Sequence, residues 1–460
     1  MIVDQKLSIA PSLTQWPEIE VLEAFVIDVN GVARGKWIPR DRAAEVLQKG
    51  MALPRSALAL DIWGRDVDEA GLATGTGDPD GLCMPVEGTL APATWLDRPT
   101  AQILMTMRDS RGQPFYADPR GVLSRICDRF AALDLRPVVA AELEFYLIDA
   151  TRSATDPVRP PKSRAGRWQG WQTQVLSVSE LHEFEGLLSE ITRCARLQGI
   201  PVDATLRENG PGQYEINLKH VADPLKAADH AVLLKRVVKG VAHRNGLDAT
   251  FMAKPYGDCE GSGMHVHISM LDKAGRNIFA SEDGKGSAAM LHAVGGLVST
   301  MGESMAVFAP HANSYRRLTP GAHAPLYASW DYDNRTAAVR LITASKSASR
   351  IEHRVCGADV NPYLAIAAIL AGMHHGFANE LAPPPIPAAK SGLPEDLEDV
   401  FERLSSNWDD GIEAFEESDF IANYFGADYQ RLYAACKKQE LDEFRQRVTD
   451  VEYDAYLRNA

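Results

Sequence analysis

The clearest pattern in the chain is an alternation that sets charged or polar residues on one face of four short stretches. A glycine-rich turn leads into Met264-His265-Val266-His267-Ile268. Successive side chains of a strand point to opposite faces, so His265 and His267 share one face while Met264, Val266 and Ile268 take the other. Ala141 to Leu147 alternates Glu142 and Glu144 with Leu143 and Phe145, and Arg350 to Val355 gathers Arg350, Glu352 and Arg354 on one face. Glu215-Ile216-Asn217-Leu218 alternates again, behind Glu208 and the turn Asn209-Gly210-Pro211-Gly212. One such segment is an ordinary half-exposed strand. Four of them, each with charge on a single face, predict a shared polar enclosure.

The remaining pattern predicts an α+β chain. Val21 to Val29 and Val32 to Ile38, joined at Asn30-Gly31, form a β-hairpin with a tight primed turn. Pro39-Arg40-Asp41 starts a helix to about Lys49, a Gly/Asp-rich loop covers 64–81, and Ala101 to Met107 is a strand, giving a small domain that ends near residue 115. Asp118-Pro119 opens a helix to about Leu133. Helices over 178–197 and 224–244 alternate with the acidic and histidine strands, Ala338 to Ile342 is a further strand, and Asn361-Pro362 starts a buried helix to about His375. A proline linker over 383–387 leads to a charged helical end, and residues 1–16 are a loose tail or short helix. Residues 150–170, with Arg152, Arg159, Lys162, Arg164 and Arg167, read as a solvated basic loop rather than a substrate lid. Asn313 to Pro325 is too punctuated by proline and glycine for a regular element and is assigned as an active-site loop.

Composition narrows the function classes. The 460 residues allow two or three domains, and no run approaches the roughly 18 apolar residues of a membrane helix. With no signal pattern at its start the chain is expected in the cytoplasm. The net charge of −14 argues against a nucleic-acid binder, which needs a basic surface to displace counterions. The six cysteines are scattered without paired spacing, so neither a zinc site nor a disulfide framework is expected.

Buried carboxylates are costly unless a cation neutralises them. Glu142, Glu144, Glu208, Glu215 and Glu352 with His265 make an oxygen-rich set suited to magnesium or manganese rather than zinc. Arg317, Arg335, Arg340, Arg350 and Arg354 add forks for carboxylate and phosphate. Acids and arginines together suggest phosphoryl transfer from a nucleotide to an acidic substrate. There is no P-loop and no kinase glycine loop to hold that nucleotide.

Six dispersed motifs carry a resemblance. Glu142-x-Glu144-Phe145, Pro211-Gly212-Gln213-Tyr214-Glu215, Lys254-Pro255 with Gly261-Ser262-Gly263-Met264-His265-x-His267, Asn313-Ser314-Tyr315-x-Arg317-Leu318, Asn334-Arg335 and Arg350-Ile351-Glu352-x-Arg354 occur in the order found in the glutamine synthetase family, which the chain resembles over nearly its whole length. The resemblance implies a β-grasp domain over 17–115 after the tail 1–16, and a catalytic domain of antiparallel strands with surrounding helices over 116–460. It implies active sites at subunit interfaces of a hexameric ring, usually doubled to a dodecamer. Two or more Mg2+ or Mn2+ ions per site would be bound, one by Glu144, Glu208 and Glu215 and another by Glu142, His265 and Glu352. Gly261, Arg317, Arg335 and Arg354 would grip glutamate, with Arg335 also near the transferred phosphoryl, and His267, Ser269, Arg340 and Arg350 would contact ATP. The implied reaction phosphorylates the glutamate side chain and then joins it to an amine.

The chain departs from the ammonia-using members at three places. His323 stands where they have a glutamate that takes a proton from ammonium, Asp61-Ile62-Trp63-Gly64 replaces Asp-Gly-Ser-Ser, and Glu260 replaces an asparagine. Asp61 keeps an acidic position, and an imidazole at 323 can accept a proton near neutral pH. Tyr332-Asp333-Asn334-Arg335-Thr336 and Arg350-Ile351-Glu352-His353-Arg354 resemble the γ-glutamylpolyamine synthetase branch of amine catabolism. An organic amine such as putrescine is therefore the expected nucleophile. Ammonia, a monoamine, or a catalytically silent binding or regulatory role are the alternatives. Residues 381–396 contain no tyrosine, so the adenylylation found in some members is not expected.

Overall fold

The computed structural model describes residues 12–73, 75–151, 153, 156–162, 174–387 and 397–460. Its first sheet begins with the expected hairpin, β1 (Val21–Ile27) and β2 (Ala33–Pro39). The connection is wider than a two-residue primed turn. Asp28 N donates to Val32 O at 2.9 Å, and Asp28 Oδ1 accepts Asn30 N and Val32 N at 2.9 and 2.8 Å. Of the turn residues only Gly31 has a left-handed φ, +78°. A type I′ turn needs positive φ at both central positions, so the Asp28 carboxylate organises the reversal that Asn-Gly was expected to make.

Next come α1 (Arg40–Lys49), β3 (Met51–Pro54), β4 (Asp80–Pro85), β5 (Ala91–Pro92) and β6 (Thr100–Arg108). The order is β2-β1-β6-β4-β3 with β5 on β6, and β1 runs parallel to β6. First and last strands side by side and parallel, with α1 burying Ala43, Val46 and Leu47, make the β-grasp arrangement.

The second sheet is built around β7 (Arg136–Asp149), which follows α2 (Pro119–Ala132). Asp118 caps that helix, its Oδ1 accepting Arg120 N at 2.9 Å. β7 is long enough to pair antiparallel with three neighbours: β11 (Met264–Leu271), β9 (Gln213–Leu218) and β10 (Leu247–Thr250). The remaining strands are β8 (Val202–Arg207), β12 (Trp330–Tyr332), β13 (Val339–Ile342) and β14 (Arg350–His353). The order is β12-β13-β14-β11-β7-β9-β8, antiparallel except between β12 and β13.

Helices pack around this sheet. The element expected over 178–197 is two helices, α3 (Val178–Glu183) and α4 (Glu185–Leu197), broken at Phe184, whose buried ring lies 6.1 Å from Tyr214. α5 (Pro224–Arg244), α6 (Ala288–Ser299), α7 (Met305–Phe308) and the buried α8 (Pro362–Ala378) follow. Among the described residues the chain closes with α9 (Trp408–Glu417), α10 (Asp419–Phe425), α11 (Ala427–Gln446) and α12 (Asp450–Tyr456).

Polar contacts tie the hairpin turn to the rest. Asn361 Nδ2, at the cap of α8, donates to Asp28 O at 2.9 Å. On α11 the fully buried Lys437 and Glu440 pair at 3.1 Å, and Glu440 also accepts Asn30 Nδ2 at 2.8 Å and Ile62 N at 2.9 Å. Arg152, Arg164 and Arg167 of the expected basic loop, the tail before residue 12 and residues 388–396 of the tyrosine-free stretch lie outside the described residues. Among the described residues no helix is long and apolar enough to cross a membrane.

Candidate active site

Strand register assembles the site. His265 lies opposite Glu142, Glu142 opposite Asn217, and Glu144 opposite Glu215. On the other side Glu352 lies opposite His267 and Arg340. The alternation seen in the sequence therefore brings all four charged faces to one side of the sheet. His265 Nδ1 is 3.4 Å from Glu142 Oε2 and 3.9 Å from Glu352 Oε1, while its Nε2 is 3.8 Å from Glu144 Oε1. Two groups result, Glu142–His265–Glu352 and Glu144–Glu215–His265, each with donor atoms within 4.8 Å of one another.

The carboxylates of the second group crowd one another, while those of the first are held ionised by their neighbours. Burial and the neighbouring Glu142, Glu144 and Glu208 carboxylates push Glu215 up to about 9. Burial and Glu208 push Glu144 up to about 7. Burial also raises Glu208, whereas in Glu142 hydrogen bonds to His265 and His267 outweigh burial and hold it low. Burial and Arg354 lower His265, which favours the neutral imidazole a metal needs. Glu142 and Glu352 are held ionised, and Glu144, Glu208 and Glu215 would release their protons to a hard divalent cation, so that the carboxylates and one neutral imidazole make a donor set for it.

Glu352 is the most heavily engaged acid. It is 1% exposed, its Oε2 accepts Arg340 Nη1 at 2.9 Å, and its Oε1 accepts Arg354 Nη1. Arg340 also grips Asp333, with Nε at 3.0 Å from Oδ1. Arg350 Nε donates to His267 Nδ1 at 3.2 Å, leaving His267 Nε2 as the N–H that faces Glu142 Oε1 at 3.0 Å. Ser269 follows on the same face of β11 and is half-buried.

A cavity of about 670 Å³ opens over the carboxylates. Glu142, Glu144, Glu208, Glu215, His265, Gly261, Arg317, Arg335, Arg354 and His323 all line it, so most of the residues expected at the site meet there. His267, Ser269, Arg340, Arg350 and Glu352 are outside its lining, further along the strands. Glu208 lines the cavity but is outside both close donor groups. Gly261 has a steric reason to be glycine: a Cβ there would lie 2.6 Å from Ala253 O and 2.7 Å from Arg317 Cγ. Arg317 is buried and donates to Val355 O at 2.9 Å.

Asp61 does not join them. Its fully buried carboxylate is spent on its own loop, with Oδ1 accepting Trp63 N and Arg65 N at 2.9 Å and Oδ2 accepting Arg65 Nε at 2.7 Å and Gln439 Nε2 at 3.0 Å. These contacts fix the loop that carries Asp61, and none of them faces this chain's cavity.

Three residues of the site were given no role from the sequence. Gln213 Nε2 donates to Gly261 O at 3.0 Å and Glu144 Oε2 at 3.3 Å, and Asn217 Nδ2 donates to Glu215 Oε1 at 3.1 Å. Both share the face of Glu215 at period two, a signal present in the alternation. Arg207 is fully buried and clamps the turn before Glu215, donating to Gly210 O and Gln213 O at 2.6 and 2.7 Å. Nothing in local pattern marks it.

Known proteins match this architecture over its length. The family model for the glutamine synthetase catalytic domain matches residues 116–456. The chain is 41% identical to gamma-glutamylputrescine synthetase PuuA of Escherichia coli K12, over 97% of this chain and 94% of that protein. It is 33% identical to the glutamate–isopropylamine ligase of a Pseudomonas species, over 95% of each. Among solved structures, a GmaS/ADP complex superposes with a TM-score of 0.83 at 27% identity, covering 98% of this chain and 100% of that one. With its paired donor groups, its arginines and its fold thus matched along the whole catalytic region, the chain belongs to the glutamine synthetase family.

Proposed function

We propose that the protein is an ATP-dependent ligase that joins the γ-carboxyl of glutamate to an organic amine, a polyamine such as putrescine in amine catabolism, through γ-glutamyl phosphate. The observation that carries this is the pair of donor groups sharing His265 beside Arg317, Arg335 and Arg354 in one cavity. The 41% identity to a gamma-glutamylputrescine synthetase and the imidazole of His323 at the cavity support an amine over ammonia.

Glu142, His265 and Glu352 would hold one divalent cation, and Glu144 and Glu215, with Glu208 from the cavity wall, another. Bound Mg2+ or Mn2+ would neutralise phosphate and carboxylate charge. Arg317 and Arg354 would orient glutamate, with Gly261 giving the close approach. Arg335, exposed at the cavity edge, can reach the transferring phosphoryl. His267, Ser269 and Arg350 would meet ATP, Arg350 through the Nη2 it has free of the His267 and Ala348 contacts. Arg340 would act through Asp333 and Glu352.

In the first step a γ-carboxylate oxygen of glutamate bonds to the γ-phosphorus of ATP as the bond to the ADP oxygen breaks. In the second the amine nitrogen bonds to the acyl carbon, phosphate leaves, and the proton lost from nitrogen passes to His323 or solvent. We take residues 17–115 as the β-grasp domain, 116–460 as the catalytic domain, and a hexameric ring, doubled to a dodecamer, as the assembly, in the cytoplasm.

The test is phosphate release from ATP, magnesium and glutamate with a panel of amines. Release should be fastest with a polyamine. Ammonium equal to or above every organic amine would make the protein a glutamine synthetase, and no release with any would favour a silent relative.

A further inference from the structure

Two of the residues that depart from the ammonia-using members meet at the cavity mouth. His323 Nδ1 is 3.3 Å from Glu260 Oε1, and both line the cavity. Glu260 belongs to neither donor group, and among the described residues His323 is its one ion-pair partner. Its backbone is fixed from below, because the buried Tyr146 hydroxyl donates to Glu260 O at 2.7 Å and Lys254 Nζ donates to the neighbouring Cys259 O at 2.5 Å. The side chain is 28% exposed, whereas that of His323 is 77% exposed and can swing away. The same cavity carries apolar surface that folding does not bury: Val175 and Leu176 line it at 51% and 64% exposure. Leu176 is held there in a left-handed conformation, φ +61°, by its N–H donating to Arg207 O at 2.9 Å, an uncommon backbone for leucine.

A rigidly based carboxylate lining one cavity with exposed aliphatic surface has the character of a short alkylammonium ion's binding site. We propose that this part of the cavity is the subsite for the far end of a diamine. Glu260 takes the distal ammonium on Oε2 while Oε1 stays toward His323, and Val175 and Leu176 cover the methylenes. A carboxylate has lone pairs enough for both partners. The inference rests on the amine-ligase function proposed above and names its substrate class as an α,ω-diamine.

The full chain is assayed with ATP, magnesium and glutamate against 1,4-diaminobutane and n-butylamine, which differ in the distal ammonium. The wild type should favour the diamine in kcat/KM by about 10- to 100-fold, the size of a charge-assisted hydrogen bond in a partly enclosed site. Glu260→Gln should shrink that preference to within about threefold. Glu260→Asp keeps the charge but withdraws it by one methylene, and should move the preferred diamine from four carbons to five. Equal use of both amines by the wild type, an undiminished preference in Glu260→Gln, or an unmoved optimum in Glu260→Asp would overturn the subsite. So would a matching rise in the glutamate KM with either amine, which would assign Glu260 to the α-ammonium of glutamate. Failure of the amine-ligase function itself looks different: ammonium would beat every amine in wild type and variants alike.

Discussion

Replacing Glu352 by alanine tests the nucleotide-side donor group and has a magnitude that the structure sets. The carboxylate is 1% exposed and holds Arg340 at 2.9 Å, Arg354, and His265 at 3.9 Å. Burial alone would raise its pKa, but His265, His267 and Arg354 outweigh it and hold the group ionised. Alanine leaves the buried Arg354 and the largely buried Arg340 short of their shared counter-charge. Removing one partner from a buried pair costs about 3–5 kcal/mol. With an unfolding entropy of about 2.1 cal/mol/K per residue over 460 residues, that lowers the melting temperature by about 3–5 °C in the metal-free protein. Glu352→Gln keeps one acceptor and the side-chain volume and should lose less. Both lose a cation ligand, and since even outer-shell partners cost 10- to 100-fold, ATP-dependent turnover should fall by more than about 100-fold. Scanning calorimetry in chelator gives the stability, and coupled phosphate release below the melting range gives the turnover. Turnover within tenfold of wild type in the alanine variant would refute the ligand assignment.

Two further predictions follow from the same site. Glu144 and Glu215 hold their protons up to about 7 and about 9, against an ordinary 4.5. A carboxyl raised in the folded state contributes stability below its unfolded value and loses it as pH rises through the folded one. These two groups should therefore lower metal-free stability by up to about 1.4 kcal/mol per pH unit each, Glu144 between pH 5 and 7 and Glu215 between pH 5 and 9, against buried histidines such as His230 and His353, held down to about 4 and about 3, which add stability as pH rises toward neutrality. Magnesium should flatten that slope, and parallel slopes with and without it would contradict the donor groups. His323→Glu should shift the amine profile toward ammonium, because a carboxylate holds a small cation that imidazole does not; an unaltered profile in initial-rate comparison would count against the role of His323.

Where the sequence was informative, short-range periodicity and position in the fold agreed. Glu142, Glu144, His265 and Glu352 were legible because alternation fixes a face, and the antiparallel register then had to bring those faces together. The hairpin, α1 and α2 were legible from turn and cap residues, although Asp28 rather than Asn30 builds the turn. β4 escaped notice because Asp80, Gly81 and Pro85 obscure a strand defined by its neighbours. That Arg65 and Gln439 take the oxygens of Asp61 was not legible, since nothing local announces those partners. Likewise the contact of Glu260 with His323 joins positions far apart in the chain, which only the folded loop reveals.

The amine panel tests the central claim most directly when run with glutamate carrying oxygen-18 in its γ-carboxylate. The predicted result with 1,4-diaminobutane is a γ-glutamyl amide and released phosphate bearing one labelled oxygen, at a rate above that with ammonium. Unlabelled phosphate, or label transfer that is fastest with ammonium, would contradict it.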